Sequence, residues 1–139
     1  MLEKNNYLHM KRSYLIITLS LFLAFNGYAQ KTSATVKHLT SEEFKKIIAS
    51  KTVCLIDVRT TEEFSGGHIS GAVNVDVSNS DFVLIIKKLN KKKPLALYCR
   101  SGNRSKLAAS KLSKLGIKIY DLNLGIKDWM QAGFPITKE

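Results

Sequence analysis

Apolar and polar positions fall in blocks along this chain, and the blocks alternate in period. Val53 to Val58 is apolar at every position but one, as in a strand covered on both faces. Pro94 to Tyr98 is a second apolar run, Ile117 to Leu122 reads as a further strand, and Ala72 to Val75 as a short one. Helical spacing fills the intervals. Thr40-Ser41-Glu42-Glu43 is a capping box with Leu39 and Phe44 placed as a hydrophobic staple, which predicts a helix from Ser41 to about Ser50. A second box, Thr60 to Glu63, opens a short helix that stops at Gly66-Gly67. Asp81 to Leu89 is helical with Phe82, Leu84, Ile85 and Leu89 broadly on one side. Ser105 to Leu115 buries Leu107, Ala108, Leu112 and Leu115, with Gly116 as its C′ residue. Ile126 to Ala132 forms a last helix, closed by Gly133 and followed by Pro135. Strands alternating with helices imply an α/β domain with a largely parallel sheet.

The N-terminus stands apart from this alternation. Lys11 and Arg12 precede an apolar run, Tyr14 to Phe25, and then comes Gly27-Tyr28-Ala29. A basic start, a short apolar core and small residues at the last and third-last positions make a secretory signal peptide, cleaved after Ala29. Met10 serves as an alternative start. The run is too short to span a bilayer comfortably, and no cysteine follows it directly, so neither a lasting membrane anchor nor a lipoprotein is expected. Residues 1–29 are read as a leader, 30–139 as one domain, and the protein as exported to the periplasm. With 22 Lys and Arg against 11 Asp and Glu the chain is basic, which raises the local concentration of anionic substrates. Nucleic acid is not expected as a partner, because basic and aromatic residues are not interleaved and export argues against it. The patch of Lys87, Lys88, Lys91, Lys92 and Lys93 reads as a solvated helix end and loop.

Sites in such sheets form at the carboxyl ends of strands, and two polar clusters fall there. Asp57-Val58-Arg59 ends the first long strand. Cys99-Arg100-Ser101-Gly102-Asn103-Arg104-Ser105 follows the Pro94 to Tyr98 strand and runs into a helix. Strand, tight polar loop and helix start together put the Cys99 thiol over backbone N–H groups. The helix N-terminus and two flanking arginines favour negative charge there, and the thiolate is the reactive form of cysteine. Cys54, near the start of its own strand, sits at the opposite end of a parallel sheet, beyond disulfide reach of Cys99. It is read as a small buried hydrophobe.

Three blocks in this order resemble the single-domain rhodaneses, thiosulfate sulfurtransferase-like modules, over nearly all of Val36 to Ile136. The first is Leu55-Ile56-Asp57-Val58-Arg59 with Glu62-Glu63-Phe64 and Gly67-His68-Ile69-Ser70-Gly71-Ala72-Val73-Asn74. The second is the Cys99 loop. The third is Leu124-Gly125-Ile126-Lys127-Asp128-Trp129 with Gly133-Phe134-Pro135. Two departures touch the pocket rim: Leu124-Gly125 where the family often has Gly-Gly, and Asn74-Val75-Asp76 where it often has Asn-Ile-Pro. The resemblance implies a three-layer α/β fold with a central, mostly parallel five-stranded sheet flanked by helices. It also implies a persulfide mechanism that needs no cofactor. Cys99 attacks the sulfane sulfur of a small anionic donor such as thiosulfate, sulfite leaves, and the sulfur passes to cyanide, a thiol or an acceptor protein. The N–H groups from Arg100 through Asn103 to Ser105 would cradle that sulfur. Arg100 and Arg104 would bind the sulfonate end, Ser101 and Ser105 would donate to the same anion, and Gly102 would permit the twist of the loop.

Blander roles suit the other candidates. Asp57 and Arg59 fit an ion pair that braces the loop. His68 belongs to a structural block, and a thiolate mechanism needs no base. Trp129 is core. Histidines scattered at His9, His38 and His68, with no closely spaced cysteines, support no metal site. Cysteine phosphatases and arsenate reductases also cradle an anion over a thiolate, but typically with five residues between Cys and Arg. Only four separate Cys99 from Arg104, a ring better sized for one sulfur than for a tetrahedral oxyanion. A sulfur-carrying module without efficient turnover needs the same persulfide, and a thiol–disulfide oxidoreductase lacks its C-x-x-C here.

Overall fold

The computed structural model describes residues 34–89 and 93–138. The expected leader, with Lys91 and Lys92 of the lysine patch, lies outside them. Strands β1 (Val36–Leu39), β2 (Cys54–Asp57), β3 (Val73–Asn74), β4 (Leu95–Tyr98) and β5 (Ile119–Leu122) form one sheet in the order β1-β5-β4-β2-β3. Every pair is parallel. Four of these strands are in the apolar pattern, each somewhat shorter than its run. β1 is not. It lies on the sheet edge with Val36, Lys37 and His38 exposed and only Leu39 buried, so no alternation announces it. His38 Nδ1 lies 2.7 Å from Asp121 Oδ2 and ties the edge strand to β5.

The helices are α1 (Ser41–Ala49), α2 (Thr61–Ser65), α3 (Phe82–Leu89), α4 (Asn103–Leu112) and α5 (Gly125–Gln131). Both capping boxes form as the sequence predicts: Thr40 and Thr60 accept from the N–H of Glu43 and Glu63, whose carboxylates accept from the threonine N–H in return. Alternate strand residues face two separate cores. Leu95, Leu97 and Cys99 pack with Phe82, Ile86, Ala108 and Leu112 of α3 and α4. Ala96 and Tyr98 pack with Phe44 and Trp129 of α1 and α5 on the other face. The architecture is therefore three-layered. Among the described residues no helix is long and apolar enough to cross a membrane.

Some expected helix faces are different. α4 begins at Asn103, two residues early, because Gly102 takes the left-handed conformation that turns the chain into it (φ 93°). It buries Ser105, Ala108, Ala109 and Leu112, a stripe at i, i+3, i+4 and i+7 whose first three members are small and let the helix lie close on the sheet. Leu107 is off that stripe and 51% exposed. In α3 the buried pair is Phe82 and Ile86, and Leu84 and Leu89 face outward.

The strand order sets the site. β3 and β4, the two strands that follow β2 in the chain, pair on opposite sides of it, so a crevice opens at the carboxyl ends of β2 and β4. The same register pairs Cys54 with Leu95, at the far end of β4 from Cys99. Four strand residues, about 13 Å, separate the two thiols along the sheet, and both are free.

Candidate active site

Cys99 follows directly on β4, 1% exposed, and its Sγ accepts the Gly102 N–H at 3.1 Å. The loop is shaped from behind. The first N–H groups of α5 take its carbonyls: Ile126 N–H donates to Cys99 O at 2.8 Å and Lys127 N–H to Arg100 O at 3.2 Å. A trans peptide points its N–H opposite to its carbonyl. The N–H groups of Arg100 and Ser101 are thereby turned away from α5, and the carbonyls of the same two peptides are tied off by it.

Two glycines make the close approach possible. Gly102 has positive φ, and a β-carbon there would run into the carbonyl oxygen of Asn123. Gly125 (φ 70°) would place a β-carbon 2.6 Å from the carbonyl oxygens of both Cys99 and Arg100. α4 then starts with no side chain capping its free N–H groups, which leaves them to the loop. Ser105 is buried beneath, and its hydroxyl donates to Gly102 O at 3.1 Å, a contact internal to the loop. Ser101 and Asn103 are exposed.

The second polar cluster braces this arrangement. Asp57 is fully buried and Arg59 is 6% exposed. Arg59 Nη2 donates to Asp57 Oδ2 at 2.6 Å and Nε to both carboxylate oxygens, while Nη2 also reaches Gly67 O at 2.7 Å. Burial works against the Arg59 charge, but the hydrogen bonds and charge of Asp57 more than offset it and push the guanidinium further up. Asn74 donates to the carbonyls of Asp57 and Arg59 and fixes the end of β2. Tyr98 Oη accepts the Ile69 N–H at 3.0 Å, and burial, with Asp57 nearby, pushes that phenol well above the ordinary tyrosine range.

At the rim, Arg104 and Glu63 form a two-pronged pair: Nη1 to Oε2 at 2.6 Å and Nη2 to Oε1 at 2.7 Å. Hydrogen bonding to Arg104 holds Glu63 at about 2, against an ordinary 4.5. A depressed carboxylate contributes stability above its unfolded value and loses it as pH falls toward its folded one. The contribution of this pair therefore disappears between about pH 4.5 and about pH 2. With roughly a third of each side chain exposed, screening keeps it near 1 kcal/mol or below. Glu63→Gln keeps an acceptor for the Thr60 cap but removes the charge. Acid titration of stability should show a shallower fall in that variant across this window; parallel curves would mean the pair contributes nothing.

Residues 40–132 match the family model for the rhodanese-like domain. The chain belongs to the rhodanese-like family. It is similar to an uncharacterised protein, YqhL, of Bacillus subtilis, 38% identical over 119 residues that span 82% of this chain and 91% of that one. Thiosulfate sulfurtransferase GlpE of Shewanella oneidensis is 30% identical over 100 residues, 71% of this chain and 97% of the relative. Among solved structures, a rhodanese-related protein from Thermoplasma volcanium superimposes with a TM-score of 0.66 at 31% identity, covering 74% of this chain and 99% of that one. These likenesses carry the three-layer fold and a sulfurtransferase kind of chemistry.

Within this rhodanese domain, the departure at Leu124 has a simple reason. Its φ is −105°, open to any residue, and its side chain is 56% exposed; the glycine that the loop needs is Gly125. His68 is structural as expected, buried, stacked 3.7 Å from Phe64 and bridged to Thr137. Trp129 sits in the core and donates Nε1–H to Pro135 O at 2.9 Å. Among the described residues no group of His, Cys, Asp or Glu is arranged to hold a metal. Sequence reasoning did not find Glu63 as the partner of Arg104, nor Asn123 and Gly125 as the wall of the rhodanese loop. Glu63 carried a signal, but for its capping role only.

Proposed function

We propose that this protein is a sulfurtransferase that carries sulfane sulfur as a persulfide on Cys99, with thiosulfate or a similar small anion as donor. One observation carries the reading: a cysteine sulfur that accepts a loop N–H, in a loop whose first two carbonyls are tied off by α5. The Cys99 thiolate attacks the sulfane sulfur, the S–S bond of thiosulfate breaks, and sulfite leaves with the electron pair. The outer persulfide sulfur then carries the negative charge, over peptide N–H groups that stabilise it without a proton of their own. Arg100, exposed on the loop, would take the sulfonate end. Arg104 holds the rim through Glu63, and its charge is already balanced there. A later nucleophile takes the sulfur and returns Cys99 as thiolate, so the two half-reactions give ping-pong kinetics.

Intact-mass analysis of the reduced protein before and after thiosulfate tests this directly. The expected result is a gain of one sulfur on Cys99 that cyanide removes. A folded, reduced protein that gains none would turn attention to oxyanion substrates.

A further inference from the structure

A cavity of about 560 Å³ lies between α1, the start of β2 and α5, of a size that seats small organic ligands. Its buried lining is Leu55, Ile69 and Trp129, with Ile48 and Val53 half-buried beside them. This lining is apolar, and the indole N–H of Trp129 is already given to Pro135 O. Two cations, Lys45 and Lys51, stand on the exposed side, and no Asp or Glu lines the cavity. Among the described residues neither lysine pairs with a carboxylate. Local structure holds both in place. Lys45 Nζ lies 4.4 Å from the centre of the Phe134 ring, which in turn packs 4.8 Å from Trp129. Lys51 follows α1 with φ 55°, and its N–H donates to Ile48 O at 3.2 Å. Among the described residues it is the one non-glycine with positive φ. Glycine takes that conformation after a helix without strain, so the backbone alone gives no reason for a lysine there. An outlier of this kind points to a use for its side chain.

We propose that this cavity binds a medium-chain amphipathic carboxylate, its acyl chain against Leu55, Ile69 and Trp129 and its charged end on Lys45 and Lys51. A bare inorganic anion would use the lysines and leave the apolar lining wet. A neutral hydrocarbon would cover the lining and leave two ammonium groups without a counter-charge. A cationic amphiphile would meet both ammonium groups and no carboxylate. A carboxylate on an apolar chain matches the two parts together. The site is separate from the sulfur chemistry. Leu55, Ile69 and Trp129 belong to one core and Cys99 to the other, so the occupant is not a sulfur substrate and the proposal does not depend on the persulfide reading.

The test titrates the full chain with monomeric decanoate by calorimetry and follows the emission of Trp129, the only tryptophan in the chain. Saturable binding with a shift in that emission is expected. n-Decylammonium, the same chain with the opposite charge, should bind at least about tenfold more weakly, the size expected of two ion pairs at a part-exposed site. Hexanoate should also bind at least about tenfold more weakly, because four methylenes leave the apolar lining. The double variant Lys45→Met, Lys51→Gly should weaken decanoate binding about tenfold, and glycine suits the backbone at position 51. The double variant Lys46→Met, Lys114→Met removes the same charge from outside the cavity and should leave binding as it was. Absence of saturable binding, binding that leaves Trp129 emission unchanged, equal affinity for decylammonium or hexanoate, or equal losses in the two double variants would overturn the site. Retention on phosphatidylglycerol vesicles without binding of monomeric decanoate would make this face a membrane contact and overturn it too.

Discussion

Cys99→Ser is expected to abolish sulfur transfer, and Cys54→Ser to leave it within about twofold of the unaltered protein. A serine hydroxyl ionises far above neutral pH and forms no persulfide, so the step that stores sulfur disappears even if the loop is unchanged. Cys54 differs on both position and chemistry. It starts β2 at the opposite end of the sheet, and burial, only partly opposed by Lys93, pushes its thiol up and lowers its thiolate fraction. Thiosulfate–cyanide turnover and persulfide mass are the two readouts, with circular dichroism to show that each variant folds. Activity lost in Cys54→Ser but kept in Cys99→Ser would place the nucleophile at the wrong end of the molecule.

Asp57→Ala has the largest expected effect on stability. It leaves the Arg59 guanidinium, 6% exposed, with Gly67 O as its remaining hydrogen-bond partner among the described residues. Removing one partner of a buried pair typically costs about 3–5 kcal/mol, since the other charge stays desolvated. Denaturant unfolding measures it. The double variant Asp57→Leu, Arg59→Met removes both charges and should recover much of the loss, because a buried pair replaced by apolar groups is often neutral. If Asp57→Ala alone cost less than about 1 kcal/mol, the pair would be acting as an exposed one, and its role as a brace would fall.

The parts of the fold that were legible in the sequence are those written in local chemistry. Both capping boxes, the turn at Gly116 and the order of strand, loop and helix around Cys99 depend on residues a few positions apart. The Asp57–Arg59 pair spans only two positions and was legible for that reason. Glu63 and Arg104 are 41 residues apart, and nothing local says that α2 will lie over the start of α4. Face assignment failed where apolar residues exceed what one face can bury. Leu84 and Leu107 have helical spacing, but the sheet selected Phe82 with Ile86 in one case and Ser105, Ala108, Ala109 and Leu112 in the other. β1 was invisible because an edge strand with one buried residue has no pattern to display.

The hold of α5 on the loop has a consequence for the order in which the molecule is made. Cys99 leaves the ribosome well before Gly125, Ile126 and Lys127, whose backbone sets the direction of its peptide groups. Until those residues arrive and fold, the emerging chain holds a cysteine without the surroundings that make it useful. The nucleophile comes early, and its competence is among the last properties that the growing polypeptide acquires.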